Sequence, residues 1–326
     1  MINFKVGILG AGNISEKIAA TLNSLDSFEP YAIAARDIER ANTFGDKYNI
    51  KKRYGSYEEL VNDPDVELVY IATPNSLHAE HAELAINAGK PVLVEKPFSY
   101  DASTTIKVLS LAKEKNIFAS EAMWIRCLPM YERLLYNIGE GIIGKVYNIT
   151  CSLGYKVFNK ERIKELSLGG GALLDLGVYP INLFQMVYGM SPATVASSCV
   201  KLETGVDAQA SLQLGYKGGV TASAFISIMY DADNGAKIYG DRGYIEIDNI
   251  NCPEAYRIYQ GNHTLVTEVK LPENHISGYE YEFLSARESI ITGKTEMLEY
   301  SHEQIINTMK FLDATRGAWK IKFPME

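Results

Sequence analysis

The sequence predicts an α/β chain in which a doubly wound parallel sheet is followed by an α+β domain with a large, mostly antiparallel open sheet. The first 120 residues alternate short aliphatic runs with segments of helical period, which is typical of a parallel sheet covered by helices. Beyond residue 122, longer strand-like runs are separated by Gly, Asn and Pro. The 326 residues are enough for two domains, and we place them at residues 1–122 and 123–326.

Composition and charge exclude several classes of protein. With 47 % apolar and 22 % charged residues, the chain has the profile of an ordinary globular protein. Its 32 basic and 40 acidic residues give a net charge of −8, which argues against a nucleic-acid or anionic membrane surface. No apolar run reaches about 18 residues, so we expect no membrane span. The cysteines lack a C-x-x-C pair and indicate free core thiols in a reducing cytoplasm; they are Cys127, Cys151, Cys199 and Cys252.

The elements of the first domain follow from its apolar runs. Runs without alternation indicate strands buried on both faces of a parallel sheet, and we expect them at Lys5–Leu9, Tyr31–Ala35, Leu68–Ala72, Pro91–Val94 and Ile117–Ser120. Helices are expected between the first two strands and at Tyr57–Asn62, Leu77–Ala88 and Ala102–Lys115.

The turn after the first strand matches G-x-G-x-x-G with Ser15 in place of the third glycine. Gly10 permits the tight turn, and Gly12 lets backbone N–H groups approach a pyrophosphate at the positive end of the next helix. Asn13 and Ile14 complete this cofactor loop. The strand before it and the amphipathic helix after it favour a dinucleotide-binding Rossmann domain over a methyltransferase loop.

The end of the second strand indicates which dinucleotide binds. An acidic residue there would hold the ribose hydroxyls of NAD, whereas this chain has Arg36 followed by Asp37. A guanidinium pairs with a 2′-phosphate and stacks on adenine, so we favour NADP and leave NAD open. The alternative is a solvated Arg36 beside a helix-capping Asp37.

Four further segments are more specific than the glycine loop. They are Tyr70–His78 (YIATPNSLH), Val92–Pro97 (VLVEKP), Glu121–Arg126 (EAMWIR) and Gly169–Pro180 (GGGALLDLGVYP). In this order they resemble the glucose-fructose oxidoreductase, inositol dehydrogenase and rhizopine-catabolism (Gfo/Idh/MocA) family over nearly the whole chain. Within this family, the Glu121–Arg126 segment and Tyr179 are most similar to dimeric dihydrodiol dehydrogenases and bacterial sugar dehydrogenases.

The resemblance implies further cofactor contacts beyond the glycine loop. These are Thr73, Pro74, Asn75, His78, Glu95 and Lys96. Lys96 follows a buried parallel strand at its carboxyl end, where ligands of doubly wound sheets bind, and is expected to be an active-site lysine. His78 and His81 are spaced like metal ligands, but with no third ligand cluster we expect no metal.

The resemblance also implies the reaction. We expect a hydride to pass between nicotinamide and a secondary alcohol or hemiacetal carbon of a sugar or a trans-dihydrodiol, while Tyr179 exchanges the hydroxyl proton. Tyrosine has a pKa near 10, and a Lys96 ammonium nearby would favour the phenolate. Asp175, four residues before Tyr179 on one helix face, would orient the substrate or the lysine.

Trp124 and Arg126 complete the expected substrate contacts, together with Asp175 and Tyr179. For Arg126 a structural ion pair is an equally good interpretation. A catalytically silent NADP sensor on the same fold also stays open. It is disfavoured because a sensor needs none of the three residues Lys96, Asp175 and Tyr179.

The second domain is predicted to expose one face of its sheet. Strands are expected at Lys145–Tyr155, Ala193–Leu202, Ala208–Tyr216, Val220–Tyr230, Tyr244–Asp248, Ala255–Gln260 and Leu265–Leu271. One face should pack on helices, including Leu173–Tyr188. The other face is too apolar to be left in water, and the family resemblance implies that it forms a homodimer or tetramer.

Overall fold

The computed structural model describes residues 3–326 and divides into two compact units. The first unit contains the chain as far as Trp124 and the segment His275–Ile306, and the second contains Ile125–Asn274 and Asn307–Glu326. The first break falls two residues after the expected boundary at residue 122. The return of residues 275–306 to the first unit is a feature that the contiguous division into 1–122 and 123–326 does not contain.

The first unit is built on a six-stranded sheet in the order β3-β2-β1-β4-β5-β6, with every neighbouring pair parallel. Its strands are β1 Phe4–Leu9, β2 Phe28–Ala34, β3 Lys52–Tyr54, β4 Leu68–Ile71, β5 Val92–Glu95 and β6 Ala119–Ala122. The predicted doubly wound parallel sheet is therefore confirmed. The edge strand β3 was not predicted, because its three residues are polar and partly exposed and lack an apolar run.

The second unit contains an eight-stranded sheet in the order β14-β13-β12-β11-β7-β10-β9-β8. Its strands are β7 Val146–Gly154, β8 Thr194–Lys201, β9 Asp207–Tyr216, β10 Val220–Ser227, β11 Ala236–Gly240, β12 Gly243–Ile247, β13 Ala255–Gln260 and β14 Leu265–Lys270. Only the β7–β10 pair is parallel among these strands. This confirms the mostly antiparallel sheet, to which the structure adds β11.

Ten α-helices accompany the sheets within residues 3–326. They are α1 Asn13–Asn23, α2 Ile38–Tyr48, α3 Tyr57–Val61, α4 His78–Asn87, α5 Ala102–Glu114, α6 Pro129–Gly139, α7 Glu161–Lys164, α8 Val178–Tyr188, α9 Glu280–Ile291 and α10 His302–Ala318. The boundary between the units falls inside α10. None of these described helices is both long and apolar enough to cross a membrane.

Helix α9 explains why the chain returns to the first unit. Its buried Phe283 makes ring contacts with Phe28 of β2 at 6.2 Å and Tyr70 of β4 at 5.3 Å. Beyond α9, Thr295 accepts a backbone hydrogen bond from Ala119 of β6 at 3.0 Å. Sequence patterns do not reveal this packing, because its partners lie more than 150 residues away along the chain.

The side chains of strand β10 alternate between the two faces of the second sheet. Ala222, Ala224 and Ile226 are buried, and Ile226 packs beside Gly177, just before α8. On the opposite face Phe225 remains 37 % exposed. The alternation of side chains along this strand therefore places one face against the segment that leads into the helix carrying Tyr179.

Candidate active site

The glycine loop joins β1 to α1 in a geometry that requires glycine. Gly10 has φ +102°, and a Cβ there would lie 2.7 Å from the carbonyl oxygen of Ala72 after β4. The Ser15 hydroxyl donates to the Gly10 carbonyl oxygen at 2.6 Å and closes the loop. Ser15 is fully buried, so a serine fills the place of the third glycine.

The N-terminus of α1 is shaped to receive an anion. Gly12 occupies the N-cap position, where no side chain caps the first N–H groups of the helix. A Cβ built on Gly12 would meet no atom within 4 Å, so the approach to these donors is open. Asn13 is exposed and Ile14 half-buried beside this opening. The residues present therefore fit the pyrophosphate of a dinucleotide.

Arg36 and Arg40 follow β2, the strand that pairs with β1 before the glycine loop. Arg36 is exposed directly after the strand, and the Asp37 carboxylate caps α2 by accepting the Glu39 N–H at 2.9 Å. One turn later, Arg40 Nη2 lies 3.5 Å from the carbonyl oxygen of Ala11 in the loop. Arg40 was not predicted. Its place in the first turn of the helix that follows Arg36 was the signal that could have found it.

Two imidazoles organise the segment after β4. The His78 ring lies between carbonyl oxygens, with Nδ1 2.8 Å from Pro97 O and Nε2 2.8 Å from Thr73 O. Burial lowers the pKa of His78 to about 4, so the ring is neutral at pH 7 and can donate a hydrogen bond to only one of the two oxygens. His81 Nδ1 lies 2.9 Å from Thr73 Oγ1. Within residues 3–326 no group of three or more His, Cys, Asp or Glu side chains could hold a metal ion.

His78 therefore links the two motifs that follow β4 and β5. Thr73 is buried, whereas Pro74 and Asn75 are partly exposed at the start of the next turn. The Lys96–Pro97 peptide bond, on the other side of His78, is cis. Both ring nitrogens of His78 contact backbone carbonyl oxygens of the protein, so the side chain positions the segments of Thr73 and Pro97 relative to each other. Contact of His78 with the cofactor stays a prediction.

Glu95 is anchored from two sides next to Lys96. It accepts a short hydrogen bond from the Tyr70 hydroxyl, and its Oε2 accepts the Lys96 N–H at 3.1 Å. Glu282 of α9 is buried, and neither of its carboxyl oxygens has a hydrogen-bond partner within residues 3–326. Burial first, and the charge of Glu95 second, hold the pKa of Glu282 well above its usual range. Folding therefore favours the protonated form of Glu282, a buried acid that sequence reasoning missed.

The second unit carries the expected proton-transfer residue. Leu173–Gly177 forms a π-helical turn that runs directly into α8, so Asp175 lies in the turn and Tyr179 in the first turn of α8. Both residues are more than 90 % buried. Asp175 Oδ1 accepts a hydrogen bond from Arg162 Nη1 at 2.9 Å, a partner that was not predicted. Single π-turns inside helices occur frequently at functional sites.

Arg126 and Trp124 both have protein partners in the structure. The Arg126 guanidinium donates to Asn182 Oδ1 at 2.6 Å and to the side-chain oxygen of Gln185. These two amide contacts are compatible with a structural role for Arg126. Trp124 stacks on Tyr279, with ring centroids 4.5 Å apart. Substrate contact by Arg126 or Trp124 stays a prediction.

The fold and this site define a dinucleotide-binding oxidoreductase. Residues 4–122 match the family model described as "Oxidoreductase family, NAD-binding Rossmann fold", and residues 131–246 match the GFO/IDH/MocA C-terminal domain. The chain belongs to the Gfo/Idh/MocA family of oxidoreductases. The resemblance drawn from the motifs is therefore confirmed, as is a nicotinamide dinucleotide as the cofactor.

Curated relatives point to the expected branch of the family. The chain is 34 % identical over 299 residues to trans-1,2-dihydrobenzene-1,2-diol dehydrogenase of Xenopus tropicalis. The aligned region covers 90 % of this chain and 91 % of the relative. The chain is 33 % identical over 334 residues to the Sus scrofa enzyme of that name, covering 98 % of both. These relatives support the prediction of a dehydrogenase or reductase.

Two solved structures share the fold. A 3-ketoreductase from Actinomadura kijaniata in complex with NADP and TDP-benzene is 24 % identical, with a TM-score of 0.87 over 97 % of this chain and 98 % of that one. An aldose-aldose oxidoreductase from Caulobacter crescentus complexed with glycerol is 22 % identical, with a TM-score of 0.87 over 98 % of both chains.

Proposed function

We propose that the protein transfers a hydride between a nicotinamide cofactor, NADP in preference to NAD, and a secondary alcohol or hemiacetal carbon of a sugar or a trans-dihydrodiol. One observation carries the proposal. The open N-terminus of α1, the Thr73 turn and Lys96 follow β1, β4 and β5, three neighbouring strands of one parallel sheet. Their side chains therefore meet at one edge of the sheet, where ligands of such folds bind.

Each proposed catalytic group has one task. A nicotinamide bound at this site would supply or accept the hydride. Tyr179 holds or releases the proton of the substrate hydroxyl, and the Lys96 ammonium stabilises negative charge on that oxygen. Asp175, paired with Arg162, orients the substrate. We include a trans-dihydrodiol among the proposed substrates because the relatives are dihydrodiol dehydrogenases. We include a sugar because one structural neighbour is an aldose-aldose oxidoreductase.

The proposed reaction is tested by following NADPH fluorescence over a panel of aldoses, keto-sugars and trans-dihydrodiols. We expect turnover with at least one class, and saturation with substrate. NADPH binding without turnover on the whole panel would instead favour the silent sensor. Protection against thermal unfolding by NADPH, compared with S-adenosylmethionine, tests the cofactor class separately.

The preference for NADP rests on Arg36. We expect Arg36→Ala to weaken NADP binding by about 10- to 100-fold, because a charge-assisted hydrogen bond contributes about 1.5–3 kcal/mol. NAD binding should change far less, since NAD lacks the 2′-phosphate. Isothermal titration measures both affinities. Lys47→Ala, which removes an exposed ion pair between α2 and Glu16 of α1, should leave both unchanged. Equal losses for both cofactors in Arg36→Ala would contradict the assignment.

We also propose that the open sheet face forms a homodimer or a tetramer. Phe225 on β10 and Tyr239 on β11 are 37 % and 38 % exposed on this face. Light scattering at micromolar concentration should report an oligomer, and Phe225→Lys should shift it toward the monomer because a buried ammonium is strongly disfavoured. A monomeric wild-type protein would rule out this assembly. We further propose a cytoplasmic location, because the spacing of the cysteines does not match a disulfide framework.

A further inference from the structure

Asp207, at the start of β9, contacts the π-turn that precedes the helix carrying Tyr179. Its side chain is 2 % exposed, and its Oδ2 accepts the Leu173 N–H at 2.6 Å. Leu173 is the first residue of the π-turn that leads into α8. A backbone hydrogen bond from Ala172 also favours the charged form of this carboxyl.

The backbone beside Asp207 leaves room only for this carboxylate. Gly171 has φ +118°, and a Cβ there would lie 2.2 Å from Asp207 Oδ1. A side chain at residue 171 would therefore displace the carboxylate from the N–H groups that it accepts. A glycine is therefore required at residue 171 so that the buried Asp207 carboxylate can approach the backbone. The sequence motif alone did not explain this glycine.

We propose that Asp207 is a positioning residue for Tyr179, because its ionised carboxylate anchors the π-turn that leads directly into the helix carrying Tyr179. The inference rests on the proposed role of Tyr179 in proton transfer. A negative charge is favoured at a helix N-terminus by the unpaired N–H groups and the helix dipole. A π-turn has an irregular hydrogen-bond ladder, so its external anchor at Leu173 affects the orientation of the residues that follow.

The charges around Asp207 leave the carboxylate only partly compensated. Arg316 of α10 faces it, but the Arg316 guanidinium also pairs with Asp313 at 2.9 Å and with Glu326. From β8, the Cys199 thiol faces Asp207, and its own pKa is raised by burial and by the Asp207 charge. On the same strand, the Lys201 ammonium lies 3.3 Å from the carbonyl oxygen of Lys320.

Burial therefore dominates and raises the pKa of Asp207 to about 7, against the hydrogen bonds from the backbone. The carboxyl is protonated in the folded protein below pH 7 and ionised above it. The anchor on Leu173 consequently strengthens as pH rises through neutrality. The cost of burying the ionised group rises over the same interval.

The sign of the stability effect follows from this shift. The folded-state pKa lies above the unfolded value near 4, so the folded chain binds more protons than the unfolded chain between about pH 4 and 7. The contribution of Asp207 to the free energy of unfolding is therefore lost as pH rises through about 7. Asp207→Asn stays neutral at every pH and removes this dependence.

The experiment compares Asp207→Asn with wild type at pH 6 and pH 8. At pH 8 the variant should have up to about tenfold lower kcat, because the Asn oxygen still accepts the Leu173 N–H but without the charge that strengthens this bond, with unchanged KM for NADP. At pH 6 the kcat values should converge, because the wild-type carboxyl is then protonated as well. Melting temperatures should show the opposite order at pH 8, with the variant at least as stable as wild type.

A structural role alone predicts a different result. It would lower kcat and melting temperature together and by the same ratio at both pH values, and that outcome would overturn the proposal, as would equal kcat at pH 8. Asp248→Asn, which breaks an exposed ion pair with Arg257 in the same unit, is the matched control and should give a pH-independent kcat ratio near one.

A readout that needs no turnover separates this inference from the proposed function. The hydrogen-exchange protection factor of the Leu173 amide should rise from pH 6 to pH 8 in wild type and stay constant in Asp207→Asn. An unchanged protection factor in wild type would overturn the anchor even if Tyr179 is confirmed. If Tyr179→Phe keeps full turnover, the proton-transfer role fails while the anchor on Leu173 is still measured.

Discussion

Replacing Tyr179 with Phe should lower kcat by about 10²–10⁴ while folding and cofactor affinity stay close to wild type. The phenylalanine ring retains the packing of a side chain that is only 7 % exposed, and the substitution removes only the hydroxyl. The loss should appear in kcat, because proton transfer contributes in the transition state rather than in binding. Steady-state kinetics on the identified substrate and a fluorescence titration with NADPH measure the two quantities.

Helix α8 offers a matched control for this substitution. The Tyr188 hydroxyl is buried and has no hydrogen-bond partner within residues 3–326. Tyr188→Phe therefore removes a hydroxyl from the same helix without removing an interaction, and its kcat should stay near the wild-type value. Full turnover by Tyr179→Phe would mean that another group carries the proton.

Lys96→Met should lower kcat by about 10²–10³, the effect typical of losing one electrostatic donor at a reacting oxygen. Methionine keeps most of the aliphatic length and removes the charge. Lys96 and Tyr179 belong to different units of the fold, so a functional link between them is best tested by combining the substitutions. In the double variant the loss should be much smaller than the product of the single losses, because the residues are proposed to act on one oxygen.

The control for the lysine is Lys107→Met, which removes an exposed ion pair with Glu83 on the surface of the same unit. It should leave kcat within about twofold of wild type, since exposed ion pairs contribute little. Losses that multiply in the Lys96 and Tyr179 double variant would show that the two residues act independently, and would contradict their proposed cooperation.

Much of the fold could be predicted because its signals are local. An apolar run without alternation identifies a strand buried on both faces, and β1, β4 and β5 were found this way. Strand β11 and helix α9 escaped prediction. The strand is short and lies between turn residues, and the helix belongs to the first unit through contacts with distant strands.

The residues of the candidate site likewise fall into those that local motifs predicted and those that only the structure revealed. Gly10, Gly12, Lys96 and Tyr179 lie in contiguous motifs whose order along the chain indicated the family, which the family models confirm. Arg40 was missed because a basic residue on an amphipathic helix is usually a solvated one. The partners of Arg126 were not identified either, since Asn182 and Gln185 lie more than 50 residues away from it.

The sequence by itself determined the class of fold, the dinucleotide loop and the family, because backbone conformation and apolar periodicity are written into neighbouring residues. Only the tertiary structure decided which acids are buried. Glu282 and Asp207 look like ordinary surface carboxyls in the sequence, yet folding removes both from water. Burial depends on chain segments that are far apart in sequence, and it raises the pKa of each carboxyl by disfavouring its charged form.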